Sequence, residues 1–573
     1  MKGSDYIARF LEAQGVRQVF EVVGGMVTHL VDSIHQRGRI RLVSVHHEQA
    51  AAFAADAVGR MSGVPGVAMA TSGPGATNLL TGIGSCYFDS TPALFITGQV
   101  NRNEQKGSRP IRQLGFQETD IVSMAAPIVK GAWKVEQPES LPEMLRNALS
   151  LALSGRPGPV LLDIPMDVQR AEVRAEAPAR LAPRPAGPTD ATAVQALLRD
   201  LERSRRPLLL AGGGIRSARA GTLFRQILET VRVPVVNSLM AVDCLPYGHP
   251  LRFGMIGSYG NRWANLALGA ADFLLVLGSR LDVRQTGSET QSFKGDRTIY
   301  HVDCEMGEVN NRVTGCRAVI SDLRPFLETL QTQSLRSGLP DWNEWKAEIG
   351  QLRESWPDTA ELREVDGINP NAFMHHLAAS SRAASAFVVD VGQHQMWAAQ
   401  SLELEPDQRF LTSGGMGAMG FALPAAVGAS IAEPDRPVVV IAGDGGFQLN
   451  TQELQTVVRN RLPLKIVVLN NRCYGMVRQF QQSYFHGRYP STYLGYSAPD
   501  FERVANGYGI AAKTIAAAAQ IDGGLADLWN APATPFLLQV MIDTFANAYP
   551  KLAFGRPITE MEPFATPLEM EGT

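Results

Sequence analysis

A carboxylate and two carboxamides stand at opposite ends of the segment that runs from Gly443 to Asn471. Asp444 lies among glycines in GDGG, and the segment closes with the pair Asn470–Asn471. Carboxylate and carboxamide oxygens suit a hard divalent cation such as Mg²⁺, and glycines let the backbone approach an anion closely. GDG alone would favour a glycine-rich turn without a ligand, but the Asn pair at the other end favours a metal-bridged diphosphate site.

Two buried strands with a helix between them must bring these side chains together. The runs PVVVIA (437–442) and LKIVVL (464–469) are typical of strands, and Asn450 with Glu453 predicts a capped helix. Such a crossover is right-handed and makes the two strands parallel, so their carboxyl ends lie at one edge of the sheet. We therefore expect the carboxylate and the carboxamides to meet at that edge.

The same alternation of short apolar runs and helical patterns recurs along the whole chain. The chain has 573 residues, of which 45% are hydrophobic, and it is too long for one core. Strand–helix repeats are typical of α/β domains with doubly wound parallel sheets. We predict three such units, joined by linkers and followed by a proline-rich tail. The predicted units are 1–172, 188–335 and 368–548, the linkers are 170–190 and 333–368, and the tail is 549–573.

Composition excludes several classes of function. The formal net charge is −3 and the Lys and Arg residues are dispersed, so no nucleic-acid partner is expected. The five cysteines are odd in number and far apart, which predicts neither a disulfide framework nor a zinc site. No apolar run reaches the roughly 20 residues of a membrane helix, and the start of the chain lacks a signal-peptide core. We expect a cytoplasmic protein with small-molecule substrates.

The GDG…NN segment resembles the diphosphate-binding motif of thiamine-diphosphate enzymes. The resemblance extends over nearly the full chain and is to the FAD-containing acetolactate (acetohydroxyacid) synthase family, which implies related sheets in the first and third units. It also implies a set of Mg²⁺ ligands and a set of diphosphate contacts. The Mg²⁺ ligands would be Asp444, the side chain of Asn471 and the backbone carbonyl of Cys473, and the diphosphate contacts would be Gly392, Gln393, His394, Gly445 and Gly446.

Glu48 stands between an apolar strand and an Ala-rich helix in VSVHHEQAAAFAADAVGR (43–60). From the residue alone, this carboxyl group is equally well explained by its interaction with the dipole of the helix. The resemblance implies a catalytic role, in which the glutamate protonates the aminopyrimidine ring of thiamine so that the imino form can remove the proton from the thiazolium carbon. Such an exchange is general acid–base catalysis.

The segment TSGGMGAMGFALPAAVG (412–428) has two interpretations. Its residues alone are compatible with a flexible loop that runs into a helix of small residues, with Met419 as a filler of the core. The resemblance implies instead that Met419 lies under the bend of the cofactor and forces its two rings into a V. The backbone carbonyl of Gly417 would receive the 4′-amino group, and bringing that nitrogen beside the reacting carbon is proximity catalysis.

Four further residues are implied to cover the reacting centre, as in related enzymes that use pyruvate. These residues are Phe116, Gln117, Met476 and Val477. The family builds its site from the first unit of one subunit and the third unit of another, so Glu48 and Asp444 would belong to different chains. The resemblance therefore implies a homodimer at least, with a dimer of dimers left open.

The middle unit is implied to bind FAD. On its own, AGGGIRS (211–217) supports a nucleotide site no better than a turn. Four segments at predicted loop positions also resemble flavin-contacting loops: LRFGMIGSYGNRWAN (251–265), GSRLDVRQTG (278–287), YHVDCE (300–305) and SDL (321–323). The implied contacts are Arg156, Gly213, Gly214, Arg280, Arg284, Asp303 and Asp322. Arginines can pair with phosphate and carboxylates can bind ribose hydroxyls. Because acetolactate formation has no net electron transfer, the flavin would be largely structural.

The chain departs from the synthase pattern on the acceptor side. Asn101 replaces a usual proline, Met166 a usual lysine and Phe480 a usual tryptophan. Losing a cation and shrinking an aromatic ring weakens the case for an acceptor that carries a carboxylate. EVVGGM (21–26), QETDIVSM and YPKLAFGRPITEMEP resemble a subgroup that transfers the acetyl unit from pyruvate to a ketone. This subgroup includes the yersiniose-type enzymes, which act on a nucleotide-linked 4-keto sugar.

We therefore expect a thiamine-diphosphate-dependent carboligase, with Mg²⁺ and FAD, that decarboxylates pyruvate and forms a tertiary alcohol from a ketone acceptor. Two other activities stay open, a biosynthetic acetolactate synthase with a 2-oxo acid acceptor and a pyruvate oxidase. A non-catalytic binding protein is a rival from another class. A decayed enzyme, however, would have no need of Glu48, Asp444 and Asn471 together.

Overall fold

The computed structural model describes residues 1–182, 187–362 and 365–569. Within these ranges the chain forms three six-stranded sheets and one two-stranded hairpin. Every neighbouring pair of strands in the three large sheets is parallel. The predicted α/β class with three parallel sheets is therefore confirmed.

The first unit alternates strands with helices. Its strands are β1 (Gln18–Val22), β2 (Arg41–Ser44), β3 (Gly66–Ala70), β4 (Ala93–Gln99), β5 (Gly131–Lys134) and β6 (Pro159–Pro165). Its helices are α1 (Gly3–Ala13), α2 (Thr28–Arg37), α3 (Glu48–Ser62), α4 (Pro74–Asn78), α5 (Leu80–Phe88), α6 (Ile121–Ala125), α7 (Leu141–Leu153) and α8 (Met166–Arg170). The strand order across the sheet is β2-β1-β3-β4-β6-β5.

The middle unit has a different strand order. Its strands are β7 (Pro207–Ala211), β8 (Val235–Asn237), β9 (Arg252–Met255), β10 (Phe273–Leu277), β11 (Thr298–Asp303) and β12 (Arg317–Ile320). Its helices are α9 (Ala191–Arg203), α10 (Gly214–Ser217), α11 (Gly221–Val231), α12 (Arg262–Ala270), α13 (Val283–Thr286), α14 (Thr290–Lys294), α15 (Leu323–Ser334) and α16 (Asn343–Ser355). The order β9-β8-β7-β10-β11-β12 is that of the Rossmann fold, with its switch point between β7 and β10.

The third unit repeats the topology of the first. Its strands are β13 (Ala386–Val389), β14 (Arg409–Thr412), β15 (Val438–Gly443), β16 (Leu464–Asn470), β17 (Ala511–Ile515) and β18 (Phe536–Met541). Its helices are α17 (Pro370–Ser380), α18 (Gln393–Ser401), α19 (Ala422–Ala432), α20 (Asp444–Gln448), α21 (Leu454–Asn460), α22 (Gly475–Tyr484), α23 (Phe501–Gly507) and α24 (Ile521–Trp529). The order β14-β13-β15-β16-β18-β17 matches that of the first sheet position by position.

The sheets are buried on both faces. Along β4, Ala93 and Phe95 belong to one hydrophobic cluster, whereas Leu94 and Ile96 belong to another. Successive side chains of a strand point to opposite faces, so both faces of this sheet are covered. This double burial explains why the strands appear in the sequence as continuous apolar runs rather than as alternating ones.

The first and third units share one core. Helices α3 and α19 pack against each other, and a single hydrophobic cluster includes Phe95 from the first sheet and Val440 from the third. A side chain at Gly428 would overlap the carbonyl oxygen of Ala54, so the two helices approach closely through small residues. The carboxyl edges of the two sheets are therefore supported by common packing.

The polar segment 333–368, which its composition predicts to be a linker, contains helix α16 and is not merely a connection. Trp345 and Ile349 of this helix are buried in the core of the middle unit. Two apolar residues four positions apart form a narrow stripe that the surrounding charged residues conceal in the sequence. The linker interpretation of this segment is wrong, and the boundaries of the three units remain predictions.

The predicted tail is also folded. It forms an antiparallel hairpin of β19 (Lys551–Leu552) and β20 (Met561–Glu562). Leu552 and Met561 join the core of the middle unit. The chain after the third sheet therefore returns to the second.

None of the helices found in the three described ranges combines the length and the apolar character that crossing a bilayer would require.

Candidate active site

The carboxyl edge of the third sheet positions both ends of the GDG…NN segment. Strand β15 ends at Gly443, and Asp444 is the first residue of α20. Strand β16 ends at Asn470, and the parallel register pairs Gly443 with Leu469. Asp444 and Asn471 therefore leave two adjacent strands at the same level of the sheet, as the parallel crossover predicts.

Asp444 is enclosed by protein. Asp444 is 2% exposed, and the hydroxyl group of Tyr496 donates a 2.9 Å hydrogen bond to its Oδ2. Burial raises the pKa of the Asp444 carboxyl group to about 6, because a poorly solvated site disfavours the charged form. A bound cation would offset that cost. Tyr496 lies 52 residues further along the chain, and no motif in the sequence marks it.

The side chain of Asn471 is oriented by two neighbours. Its Nδ2 donates to Oε1 of Gln393 at 3.2 Å, and its Oδ1 accepts the N–H of Cys473 at 3.2 Å. Arg472 between them has a φ of +56°, so the chain turns sharply here. No cluster of three or more His, Cys, Asp or Glu side chains suited to a metal occurs in the described part of the chain. A metal at this edge would depend on one carboxylate, one amide oxygen and one backbone carbonyl, which is an oxygen set that suits Mg²⁺.

His394 presents an unsatisfied nitrogen in a fully enclosed position. Its Nε2 is buried and has no hydrogen-bond partner among the described residues. Burial lowers the pKa of the imidazole to about 3, so the ring is neutral near neutral pH. Gln393 beside it is held by Oε1 of Gln479 at 3.1 Å and by the carbonyl of Ala546 at 3.0 Å. A buried polar atom without a partner fits a site that a ligand completes.

The glycines after Asp444 leave no room for side chains. A Cβ at Gly445 would overlap the ring of Tyr474, and one at Gly446 would lie 2.6 Å from Oδ1 of Asp390. Together with Gly392, at the amino end of α18 beside β15, these positions form a tight backbone cradle at the edge of the sheet. The residues present thus fit a diphosphate and Mg²⁺.

Asp390 is a structural element of this edge that the sequence motifs do not mark. It follows β13, is almost completely buried, and accepts the N–H groups of Gly420 and Ala422 at 2.9 Å each. Burial raises the pKa of its carboxyl group to about 6. A lone Asp after an apolar strand, in AFVVDVG, was the only available signal. Its partners lie about thirty residues away, as the separations of 30 and 32 positions show.

The 413–421 loop connects β14 to α19 and contains Gly417 and Met419. Gly417 has a φ of +64°, a conformation that favours glycine. Met419 is half-buried rather than part of a hydrophobic cluster, so the interpretation as core filler does not hold. Its side chain is free to contact a ligand beside the loop.

Glu48 is the first residue of α3 and is largely buried in the first unit. Its Oε2 accepts a 2.9 Å hydrogen bond from Nδ2 of Asn78, the last residue of α4. The residue is 8% exposed. The carboxyl group of Glu48 therefore lies beyond the end of β2. One hydrogen bond orients it, and little of it is exposed to solvent.

The predicted helix cap at Asn450 and Glu453 is wrong. Neither side chain caps the helix that follows. Glu453 accepts the N–H of His46 at 2.9 Å, and Asn450 donates to the carbonyl of Gly420 at 2.7 Å. Contacts with the first unit and with the 413–421 loop replace the local cap, because tertiary partners satisfy these side chains better than their own helix does.

Of the four residues implied to cover the reacting centre, two are exposed and two are half-buried. Phe116 is 78% exposed, and Gln117 has a φ of +65°. Val477 is exposed and Met476 is half-buried on the same turn of α22. The single chain covers the side chains of Gln117 and Met476 only in part and leaves Phe116 and Val477 exposed.

Comparisons with known proteins agree with this geometry. Profiles of thiamine pyrophosphate enzymes match the N-terminal TPP binding domain at 1–124, the central domain at 194–330 and the C-terminal TPP binding domain at 390–540. The large subunit of acetolactate synthase isozyme 1 from Escherichia coli is 36% identical over 568 residues, which cover 98% of this chain and 97% of that protein. Isozyme 2 from the same organism is 37% identical over 564 residues, with 98% and 99% covered. The large subunit from Lactococcus lactis is 35% identical over 563 residues, with 98% and 96% covered.

The chain belongs to the acetolactate synthase family of thiamine-diphosphate-dependent enzymes. It is therefore a thiamine-diphosphate-dependent carboligase, as the sequence motifs predict.

The middle unit of this carboligase gathers most of the flavin candidates at one edge. Gly213 and Gly214 follow β7, and the N–H of Gly214 donates to the carbonyl of Gly278 after β10 at 3.0 Å. This pair marks the switch point of the Rossmann order, where such folds bind nucleotides. The remaining candidates of the middle unit on this edge are Arg280 after β10, Asp303 at the end of β11 and Asp322 after β12. Two segments predicted to be loops, 251–265 and 300–305, lie partly in strands β9 and β11.

The arginines among the flavin candidates contact protein groups. Arg156 pairs with Glu308 at 2.6 Å and with Glu305 at 3.0 Å. Arg284 reaches the carbonyl of Gly414 at 3.4 Å, so the middle unit approaches the 413–421 loop. Burial raises the pKa of the Asp303 carboxyl group, which accepts the N–H of Glu305 at 3.0 Å.

Three positions depart from the synthase pattern, and an arginine lies beside one of them. Met166 begins α8, and Arg170 follows it by four residues, on the same face of the helix. Nη2 of Arg170 donates to Oδ1 of Asn101 at 3.2 Å. Phe480 is partly exposed on α22, beside Tyr484 with a ring separation of 4.7 Å. A guanidinium group therefore lies beside Asn101, and the expectation of a less cationic entrance stays a prediction.

Proposed function

We propose that the protein takes pyruvate as the donor and transfers its acetyl unit to a second 2-oxo acid. The observation that carries this proposal is the similarity to acetolactate synthases over 98% of the chain, including all three units. This choice replaces the ketone acceptor as the first candidate. The relatives are named acetolactate synthase, and the chain and each of the relatives named above span nearly the same length.

The metal and the diphosphate would be held by the edge of the third sheet. Asp444, Oδ1 of Asn471 and the carbonyl of Cys473 are the proposed Mg²⁺ ligands. The orphaned Nε2 of His394 and the close-packed glycines support the diphosphate contacts. The proposed contacts are Gly392, Gln393, His394, Gly445 and Gly446.

Glu48 would act on the pyrimidine end of the cofactor. When bound, thiamine diphosphate supplies the carbanion chemistry that cleaves the donor and forms the new carbon–carbon bond. Glu48 would exchange a proton with the aminopyrimidine ring, and Asn78 would keep its carboxyl group in place. The carbonyl of Gly417 would accept the 4′-amino group, and Met419 would hold the two rings at an angle.

The site would be completed by a second chain. Glu48 and Asp444 would come from different subunits, so a homodimer would be the smallest active species. The 78% exposure of Phe116 supports a loop that the partner covers. Phe116, Gln117, Met476 and Val477 would then exclude water from the reacting centre.

FAD would occupy the carboxyl edge of the middle sheet. The Rossmann strand order and the contact between Gly214 and Gly278 at its switch point support this assignment. The proposed contacts are Arg156, Gly213, Gly214, Arg280, Arg284, Asp303 and Asp322. The flavin would be largely structural, because the transfer of an acetyl unit needs no net oxidation.

A ketone acceptor is the second candidate function. Met166 and Phe480 favour it, because both positions lose features that suit a carboxylate-bearing acceptor. A nucleotide-linked keto sugar, as in yersiniose-type enzymes, would be one such ketone. Arg170 beside Asn101 favours the 2-oxo acid instead, since a guanidinium group can pair with a carboxylate.

One competition assay separates the candidates. Purified protein would receive pyruvate, thiamine diphosphate, Mg²⁺ and FAD, with 2-oxobutyrate and a simple cyclic ketone as competing acceptors. We expect the acetohydroxy acid as the main product. If the tertiary alcohol formed from the cyclic ketone is the only coupling product, the second candidate replaces the first. Stoichiometric peroxide or reduced quinone without such a bond would indicate a pyruvate oxidase.

The same competition assay tests the role of Arg170. Arg170→Gln is expected to lower the yield of acetohydroxy acid relative to the alcohol formed from the cyclic ketone, because the acceptor carboxylate loses its partner. Arg174→Gln, at an exposed position beyond α8, is the matched control. An unchanged product ratio in the first variant would remove Arg170 from the acceptor site.

A further inference from the structure

The 413–421 loop is held at both ends by buried carboxylates that accept pairs of backbone N–H groups. At its far end, Asp390 of the third unit accepts the N–H groups of Gly420 and Ala422. At its near end the carboxylate is Asp89, which belongs to the first unit of the same chain. The loop is therefore suspended between two units rather than supported by its own unit alone.

Asp89 contacts the loop through both of its oxygens. Its Oδ1 accepts the N–H of Gly415 at 2.7 Å, and its Oδ2 accepts the N–H of Gly414 at 2.9 Å. Two successive N–H groups that converge on one carboxylate form a strong and directional contact. The side chain of Asp89 is 2% exposed, so little water reaches its carboxylate group.

The two glycines allow the loop to lie directly against the first unit. A Cβ at Gly414 would overlap the sulfur of Met240, and one at Gly415 would lie 2.6 Å from Cβ of Phe88. A side chain at Gly415 would need a shift of the backbone, and one at Gly414 would need the side chain of Met240 to move. The sequence SGG at the start of the loop is thus explained by its packing against Phe88 and Asp89.

Arg60 balances the charge of this buried contact. Its Nη2 lies 3.0 Å from Oδ2 of Asp89, and its Nε lies 2.6 Å from Oδ1 of Asp56. Nη1 of Arg60 also donates to the carbonyl of Thr412 at 2.8 Å, at the end of β14. Asp56 contacts Arg60 but does not contact the loop, which makes it a useful control.

We propose that Asp89 is a positioning residue for the activation of thiamine diphosphate. By holding Gly414 and Gly415 it sets where the carbonyl of Gly417 and the side chain of Met419 stand relative to the edge of the third sheet. This inference rests on the proposed function, because it assumes that these two groups contact the cofactor. A displacement of the order of 1 Å in such a loop costs about a hundredfold in rate.

The test compares Asp89→Asn with the wild-type protein in the full-length chain. The carboxamide keeps the shape but offers a donor to one of the two N–H groups, so one hydrogen bond is lost. Two quantities are measured: amide hydrogen exchange of the 413–421 loop without cofactor, and exchange of the thiazolium C2 proton of bound thiamine diphosphate. We expect faster amide exchange confined to the loop, and C2-proton exchange slower by on the order of tenfold to a hundredfold.

Two further variants separate positioning from general stability. Gly415→Ala moves the loop without changing a charge and is expected to reproduce both effects. Asp56→Asn weakens the same buried charge cluster and is expected to change neither. Equal slowing of C2-proton exchange in Asp56→Asn, or unchanged exchange in Asp89→Asn, would overturn the proposal. If the wild-type protein binds no thiamine diphosphate, the proposed function fails, and the amide exchange alone then decides whether Asp89 orders the loop.

Discussion

The first and third sheets have the same strand order but use their carboxyl edges differently. At the edge of the third sheet, Asp390, Asp444 and Asn471 are each no more than 8% exposed, and each is fixed by hydrogen bonds. At the edge of the first sheet, the enclosed acid Glu48 stands near a loop whose Phe116 is 78% exposed. The same strand order thus carries a set of buried, oriented oxygen atoms at the edge of the third sheet and an acid beside an uncovered loop at the edge of the first.

The difference teaches that strand order decides where side chains meet but not what they do. Parallel strands bring the residues after each strand to one edge, whatever those residues are. The chemistry then depends on which edge residues are buried and which partners remain for a ligand. Four predictions test this contrast between the two edges, from the largest expected effect to the smallest.

Glu48→Gln is expected to lose most turnover while the protein keeps its fold and its affinity for thiamine diphosphate. The amide keeps the size of the side chain but cannot exchange the proton, and general acid–base catalysis contributes about 10²- to 10⁴-fold. Steady-state kinetics and binding titrations on the same preparation check this. Activity near that of the wild type would show that the first edge contributes no acid.

Asp444→Ala is expected to weaken the binding of thiamine diphosphate and Mg²⁺ together, because the third edge would lose its charged oxygen ligand. Tyr496→Phe removes only the hydroxyl group that donates to Asp444 at 2.9 Å. It should cost about 1 kcal/mol, or roughly fivefold in affinity. Calorimetric titrations with and without Mg²⁺ distinguish the two variants. Loss of cofactor affinity without any change in its Mg²⁺ dependence would contradict a metal at this edge.

Asp163 provides a pH-dependent test on the first edge. It is buried at the carboxyl end of β6, accepts hydrogen bonds from Thr97 at 2.7 Å and Gln99 at 3.0 Å, and burial raises its pKa to about 7. A raised carboxyl pKa means that the native state holds the proton longer than the unfolded state does. This contribution to stability is lost as the pH rises from about 4 through about 7.

Asp163→Asn removes that titration while its amide can still bond both neighbours. We expect the thermal midpoint of the variant, relative to the wild type, to be higher at pH 8 than at pH 5. Lys134 and Asp120 also act on this carboxyl group, so both are kept unchanged in the comparison. A gap between variant and wild type that is the same at both pH values would argue against a protonated Asp163.

Gly446→Ala measures how tightly the third edge is packed. The added Cβ would lie 2.6 Å from Oδ1 of Asp390, so we expect a loss of about 1 to 3 kcal/mol and a lower thermal midpoint. Gly350→Ala, in helix α16 with nothing within 4 Å of its Cβ, is the matched control. It should stabilise the protein by up to about 1 kcal/mol. Equal behaviour of the two variants would show that the cradle is not close-packed.

The sequence by itself determined the strands, the parallel units and the level at which Asp444 and Asn471 leave the third sheet. These properties follow from local rules: apolar runs form buried strands, and right-handed crossovers make consecutive strands parallel. The capped helix at Asn450 and the linker at 333–368 were wrong, because side chains there found tertiary partners instead of local ones.

Only the tertiary structure decided the partners that orient the candidate site. Tyr496 on Asp444, Asp89 on the 413–421 loop and Arg170 on Asn101 are separated from their partners by 52, more than 320 and 69 residues. No periodicity or motif links positions so far apart, since their meeting depends on how α3, α19 and the three sheets pack. A hydrogen bond between distant segments depends on how the whole core packs. A single sequence shows the donor and the acceptor residue but not that the two are in contact.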